Sequence, residues 1–153
     1  MKAEYINPFF LATKEVLQMM LDVETERGQL EVLDGMIANK DVNVLLGVTG
    51  DLKGSILFSF PEKMTLEMVR IMAGMEMEQV DAFVSSALGE VANIISGNAM
   101  TKLTSSNYVC DIVPPQIFVG ENKSFSMASQ KSLLLPLKTP IGDFDVTIFL
   151  KGV

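Results

Sequence analysis

The sequence predicts an α/β (α+β) sandwich of two pseudo-symmetric halves, each a helix plus three strands, with a long central helix packed on a sheet. Three observations predict it. Apolar periodicity along the chain reads helix, three strands, short helix, long helix and about three strands, which is one unit used twice. Local similarity joins the two halves. Gly50-Asp51-Leu52 leading into Ser55-Ile56-Leu57-Phe58 resembles Gly142-Asp143-Phe144 leading into Thr147-Ile148-Phe149-Leu150, and Glu15-Val16-Leu17-Gln18 echoes Glu90-Val91-Ala92-Asn93. Finally, 153 residues at 48 % hydrophobic content suit a single domain over 1–153, one that buries roughly 70 % of its unfolded surface.

The first helix follows from Asn7-Pro8, a capping residue and a proline fit for a first helical turn. Phe9, Phe10, Ala12, Val16, Leu17, Met20 and Leu21 then recur at helical spacing, predicting a helix from about 8 to 24. Three strand-like runs come next: Leu30 to Ile37, the alternating Val42, Val44, Leu46 and Val48, and Ser55 to Phe60. Gly50-Asp51, with Gly54 nearby, marks the turn between the last two. Pro61 opens a short helix from Glu62 to about Ala73, which Gly74 stops. Asp81 caps the longest helix, from about Ala82 to Leu103. The second set of strands is Tyr108 to Val113, Gln116 to Val119, Leu133 to Leu137 and Phe144 to Leu150, with Pro114-Pro115 breaking the first. The polar stretch Gly120 to Lys131 reads as a mobile hairpin loop.

Composition removes whole classes of chemistry. The chain has no histidine and one cysteine, Cys110. Serine–histidine and cysteine–histidine hydrolysis, most zinc sites, an intrachain disulfide and an iron–sulfur cluster are therefore excluded. A formal charge of −7 ranks nucleic-acid binding low. The longest uncharged stretch, Val91 to Thr101, is about half of what a membrane span needs. Met1-Lys2-Ala3-Glu4 sets an acid where a signal peptide would begin its apolar run. These features read as a soluble cytoplasmic protein without membrane insertion.

The long helix carries the unusual residues. Val80, Phe83, Val84, Ala87, Leu88, Val91, Ile94 and Ile95 make one apolar stripe that should face a sheet. On its flank Ser86, Glu90, Asn93 and Gly97 fall within about 60° of one another. Glycine inside a helix costs roughly 1 kcal/mol against alanine, and this helix holds both Gly89 and Gly97. A helix that gives up stability beside a polar row leaves room for something to approach. From geometry alone, a solvated flank explains these residues at least as well as a site does.

Ser86-x3-Glu90-x2-Asn93, followed after 21 intervening residues by Pro115, resembles the signature of the CheC/CheX/FliY family of response-regulator phosphatases. Tyr5-Ile6-Asn7-Pro8-Phe9 is similar to the start of the CheX branch, as are the length and the element order. Glu4-x2-Asn7 also fits the core of the motif, but Pro8 argues against placing that pair within a helix.

The resemblance implies a substrate, the aspartyl phosphate of a phosphorylated CheY-like receiver domain. An acyl phosphate already has a good leaving group. Its hydrolysis needs an in-line water and stabilised charge more than a strong base, so the lack of histidine is no handicap. An amide accepts a hydrogen bond from water and donates one to a phosphoryl oxygen. This makes Asn93 the candidate for positioning water, as a glutamine does in many GTP hydrolases. Glu90 would repel phosphate. The family mechanism instead pairs it with the receiver's active-site lysine, and Glu90 and Asn93 are the expected catalytic pair. Ser86, Gly97 and Pro115 are expected to serve partner binding, Ser86 as a contact or helix-orienting group and Pro115 by shaping its loop. No metal site is expected. The receiver supplies Mg2+, so the chain needs no cofactor of its own. The resemblance also implies a homodimer, for which an exposed sheet edge offers a route. The first-half echo departs from the pattern, with Gln18 in place of asparagine and Leu11 in place of serine. The first helix is therefore expected to be structural.

Two other functions stay open on the sequence: a catalytically silent adaptor that binds a receiver or flagellar component, and a hot-dog-fold thioesterase. The repeated helix-plus-strands unit fits the second less well. Met64, Met68, Met72 and Met75 read as core, as does Cys110. Asp143 and Asp145 sit beside a turn without a partner cluster, and Tyr108 reads as an ordinary sheet position.

Overall fold

A computed structural model describes residues 3–38, 40–120, 123–125 and 130–153. Helix α1 (Ala3–Leu21) is followed by β1 (Glu26–Arg27), β2 (Glu31–Asp34), β3 (Met36–Ala38), β4 (Val42–Gly50) and β5 (Leu52–Phe60). Helices α2 (Glu62–Ala73) and α3 (Ala82–Ser105) come next, then β6 (Cys110–Ile112), β7 (Gln116–Val119), β8 (Lys123–Phe125), β9 (Lys131–Thr139) and β10 (Gly142–Gly152).

The two long hairpins, β4–β5 and β9–β10, meet through an antiparallel β5–β10 pair running from Asp145 opposite Ser59 to Gly152 opposite Leu52. That seam gives the sheet its internal symmetry. Its order is β1-β9-β10-β5-β4-β6, with β2 also along β9 and β7 also along β4, so each hairpin is edged by two short strands. Gly50 turns the first hairpin at φ 111° and Gly142 the second at φ 149°, a region open to glycine at no steric cost. The doubled α/β arrangement expected from the sequence is present, with more strands per half. Gly35, at φ 77°, divides the run 30–37 into β2, which pairs with β9, and β3, which pairs with β8 in a separate two-stranded ribbon. Of the stretch 120–131 read as a loop, 123–125 therefore form a strand, while 121–122 and 126–129 lie outside the described residues.

Strand alternation sends one side chain in two to the helices. Val42, Val44, Leu46, Ile56, Phe58, Phe144, Val146 and Ile148 are buried in one core with Phe9, Val16 and Leu17 of α1 and Leu88, Val91 and Ile95 of α3. Phe60 stacks on Phe144 with ring centroids 5.0 Å apart. On other positions of the sheet Asn43, Ser59 and Asp145 form one cross-strand row, all buried, and Asp145 pairs with Lys40 at 3.7 Å. Asp143 is exposed opposite Lys138.

The first helix differs from its predicted bounds at both ends. It starts at Ala3, so Pro8 is its sixth residue and Glu4 and Asn7 both lie within it. Proline there leaves the helical ladder one bond short. Burial of Tyr5 and Ile6 offsets the loss, helped by Tyr108, whose ring meets Tyr5 edge-on at 5.3 Å and whose hydroxyl donates to Glu4 Oε1 at 2.6 Å. The helix ends at Leu21 because Asp22 turns left-handed at φ 55°. Helix α2 keeps its predicted limits, closed by Gly74 at φ 71° with its N–H on the Arg70 carbonyl. Met64 and Met68 are core, but Met72 is half-buried and Met75 exposed, so the methionine row leaves the core as it ascends. Cys110 is a half-buried free thiol. Among the described residues no helix is long and apolar enough to cross a membrane.

Candidate functional site

Asp81 starts α3 by accepting a hydrogen bond from the Val84 N–H at 2.9 Å, which sets the helical phase of everything after it. Helix α3 packs on α1 and also on β4, β6 and β7. Cover from two sides widens the buried arc to Val84, Leu88, Gly89, Val91, Ala92, Ile95, Ser96, Ala99, Met100 and Leu103. This shifts the arc relative to the stripe read from the sequence. Phe83, placed in that stripe, is 48 % exposed. Ser86 and Glu90 are exposed and Asn93 half-buried, so the polar row forms the outward face of α3 and not a flank of its apolar side.

A cleft of about 370 Å³ runs beside this row. Ser86, Gly89, Glu90 and Asn93 line it from the helix, and Ile112, Pro114, Pro115 and Ile117 from the sheet edge. Four of the five residues singled out by sequence thus share one cavity, even though Pro115 is distant from the others in the chain.

The sheet side of the cleft is made by a bulge. Strand β6 pairs with β4 as far as Ile112 opposite Val48, and β7 resumes with Gln116 opposite Leu45. Between them three residues, Val113 to Pro115, face two, Leu46 and Gly47. The Val113 N–H still donates to the Gly47 carbonyl at 2.9 Å, but the two prolines that follow have no N–H to continue the ladder. The ladder is broken there, and Pro114 and Pro115 line the cleft opposite the helix. Its upstream end is tied down, since Asp51 Oδ2 accepts from the Val109 N–H at 2.8 Å.

Of the two glycines in α3, Gly89 is the one that meets the sheet. A β-carbon on it would lie 3.0 Å from Ile117 Cδ1 and 3.6 Å from Pro115 Cγ. Gly97 has no such neighbour, and a β-carbon there would find nothing within 4 Å. It lies one turn past Asn93, off the cleft lining, on open surface. The sequence singled out neither Gly89 nor Ile112, Pro114 and Ile117 as lining. Adjacency of Gly89 to Glu90 was the available signal, but which glycine faces the loop depends on tertiary packing.

Among the described residues Glu90 is the only charged one lining the cleft, and no described lysine or arginine lines it. Among the described residues there is no cluster of three or more acidic or cysteine side chains able to hold a metal ion. The cavity thus offers an amide, a hydroxyl and a carboxylate on a rigid helix, against an apolar wall. Such a set can orient water and accept a cation from a partner, but it supplies no positive charge of its own.

The corresponding face of α1 is occupied differently. Glu15 Oε1 accepts from Lys102 Nζ at 3.0 Å and Gln18 Nε2 donates to Asp22 Oδ1 at 3.0 Å, while Leu11 is 45 % exposed.

Comparison with known proteins gives a consistent set of similarities. The family model described as chemotaxis phosphatase CheX matches residues 42–138. The CheY-P phosphatase CheX of Thermotoga maritima is 29 % identical over 158 residues, covering 99 % of this chain and 99 % of that one. A CheC-like superfamily protein from Shewanella sp. PV-4 superposes with a TM-score of 0.89 at 28 % identity, over 99 % of this chain and 100 % of that chain. The CheX of a CheX–CheY–BeF3–Mg2+ complex from Borrelia burgdorferi superposes with a TM-score of 0.80 at 32 % identity, over 96 % and 97 % of the two chains.

Proposed function

The chain belongs to the chemotaxis phosphatase CheX family, and we propose that it hydrolyses the aspartyl phosphate of a CheY-like response regulator at the α3 cleft. The observation that carries this reading is the convergence of Ser86, Glu90, Asn93 and Pro115 on one cavity with Glu90 and Asn93 on an outward helix face. Full-length similarity to a CheY-P phosphatase supports it, as does the relative in complex with CheY. The thioesterase alternative loses its support to the same similarities.

In this mechanism Asn93 Oδ1 accepts a hydrogen bond from the attacking water while its amide N–H donates to a phosphoryl oxygen. The water oxygen bonds to phosphorus, the bond from phosphorus to the aspartyl oxygen breaks, and the carboxylate leaves with the electron pair, releasing inorganic phosphate. Glu90 pairs with a lysine of the receiver and so fixes Asn93 over the phosphoryl group, a positioning effect that lowers the entropic part of the barrier. Ser86 and Gly97 contact the receiver, and Pro115 holds the wall of the cleft. Mg2+ comes with the receiver, as the composition of the Borrelia complex suggests.

The chain works as one CheX-like domain in the cytoplasm and pairs with a second copy at a sheet edge. The β1–β2 edge, where Val32 is 67 % exposed, is at the end of the sheet opposite the cleft and leaves it free. Mixing the protein with a phosphorylated receiver and following phosphate release tests the activity. Acceleration over the receiver alone supports the reading, whereas binding without acceleration returns the adaptor.

A further inference from the structure

Phe83 is exposed, at 48 %. It is on the second residue of α3, and helical rotation brings it within about 20° of Glu90, roughly 10 Å toward the helix start. Across the cleft, Pro114 of the bulge is exposed too. The helix face opposite it is poor in charge. Helix α3 has 24 residues and two charges, Glu90 and Lys102, and Lys102 is paired with Glu15. The outward row of Phe83, Ser86, Asn93 and Gly97 therefore carries Glu90 as its single charge.

The binding problem set by the proposed function explains that pattern. The ligand is an anionic phosphoryl group, yet among the described residues the cleft lining presents one negative charge and no cation. Attraction between cleft and phosphate cannot supply the affinity, so docking must draw on Glu90 with the receiver's lysine and on apolar burial. An aromatic side chain one turn before Ser86, on the same helix as Asn93, is suited to that task.

Resting on the phosphatase reading, we propose that Phe83 is a docking anchor for the receiver, buried on binding against an apolar patch beside its phosphorylation site, with Pro114 on the opposite side of the cleft. Phe83 sets affinity and partner choice, and Asn93 sets the rate. Receivers with a charge at the facing position are rejected.

The test is titration of the chain into a receiver saturated with beryllofluoride and Mg2+, alongside steady-state dephosphorylation, for wild type, Phe83→Ser and Phe83→Leu. The serine variant is expected to weaken Kd about tenfold and to raise KM in parallel. Its kcat stays within about twofold of wild type, its thermal midpoint is unchanged, and the leucine variant recovers most of the affinity. A serine variant with wild-type Kd, or one that loses kcat in place of affinity, overturns the anchor. A wild type that binds without turnover overturns the phosphatase reading while the Kd comparison still decides Phe83, and a wild type that does not bind overturns both.

Discussion

Ile117 lies over Gly89 so closely that a β-carbon on the glycine would sit 3.0 Å from the isoleucine Cδ1. This contact joins the bulged sheet edge to the helix that carries Glu90 and Asn93, and it sets the width of the cleft between them.

Gly89→Ala tests that link. Alanine gains about 1 kcal/mol of helix propensity, but the new methyl must displace the Ile117 tip. The two effects offset, so unfolding free energy by denaturant titration is expected within about 1 kcal/mol of wild type. Dephosphorylation is expected to fall by about tenfold, because the wall bearing Pro115 shifts relative to Asn93. Unchanged turnover would show that the cleft width does not matter.

The first helix is expected to be a bystander in catalysis. Glu15 is paired with Lys102 on a partly exposed surface, an arrangement worth less than about 1 kcal/mol. Glu15→Ala and Gln18→Ala should therefore leave turnover unchanged and shift stability slightly. A loss of activity in either, with the fold retained, would reveal a second site on α1.

Alkaline titration probes the contact that pins the start of α1. The Tyr108 hydroxyl donates to Glu4, and that bond, followed by hydrogen bonding to Tyr5, holds the phenol above its usual range. The folded state thus favours the protonated phenol. Its stabilising effect is complete below the ordinary phenol pKa of about 10 and is lost as pH rises through the elevated folded value. Wild type should exceed Tyr108→Phe in denaturant midpoint near neutrality, with the gap shrinking in strong alkali. A gap that stays constant with pH would contradict this account.

Punctuating residues made much of this architecture legible in the sequence. Pro61 and Gly74 set the limits of α2, Asp81 set the start of α3, and Gly50-Asp51 located the first hairpin turn. Local rules misled where burial outweighed them. Pro8 reads as a helix start, yet the buried Tyr5 and Ile6 extend α1 past it. Phe83 fits an apolar stripe by spacing, yet cover from α1 and from the sheet draws the buried arc of α3 away from it. The four residues Ser86, Glu90, Asn93 and Pro115 were visible by type and spacing. Their meeting in one cavity was not, because it depends on a bulge whose register is set by β4 and on a glycine whose neighbour is 28 positions away in the chain.

In the proposed mechanism Asn93 positions the hydrolytic water and Glu90 docks the receiver through its lysine. The most direct measurement is the single-turnover rate of phosphate release from a phosphorylated receiver, with wild type, Asn93→Ala and Glu90→Ala compared at equal thermal stability. Loss of one group that stabilises the transition state costs about a hundredfold or more, and this is the fall expected for Asn93→Ala, with a substantial loss for Glu90→Ala. Wild-type rates in both variants would contradict the account.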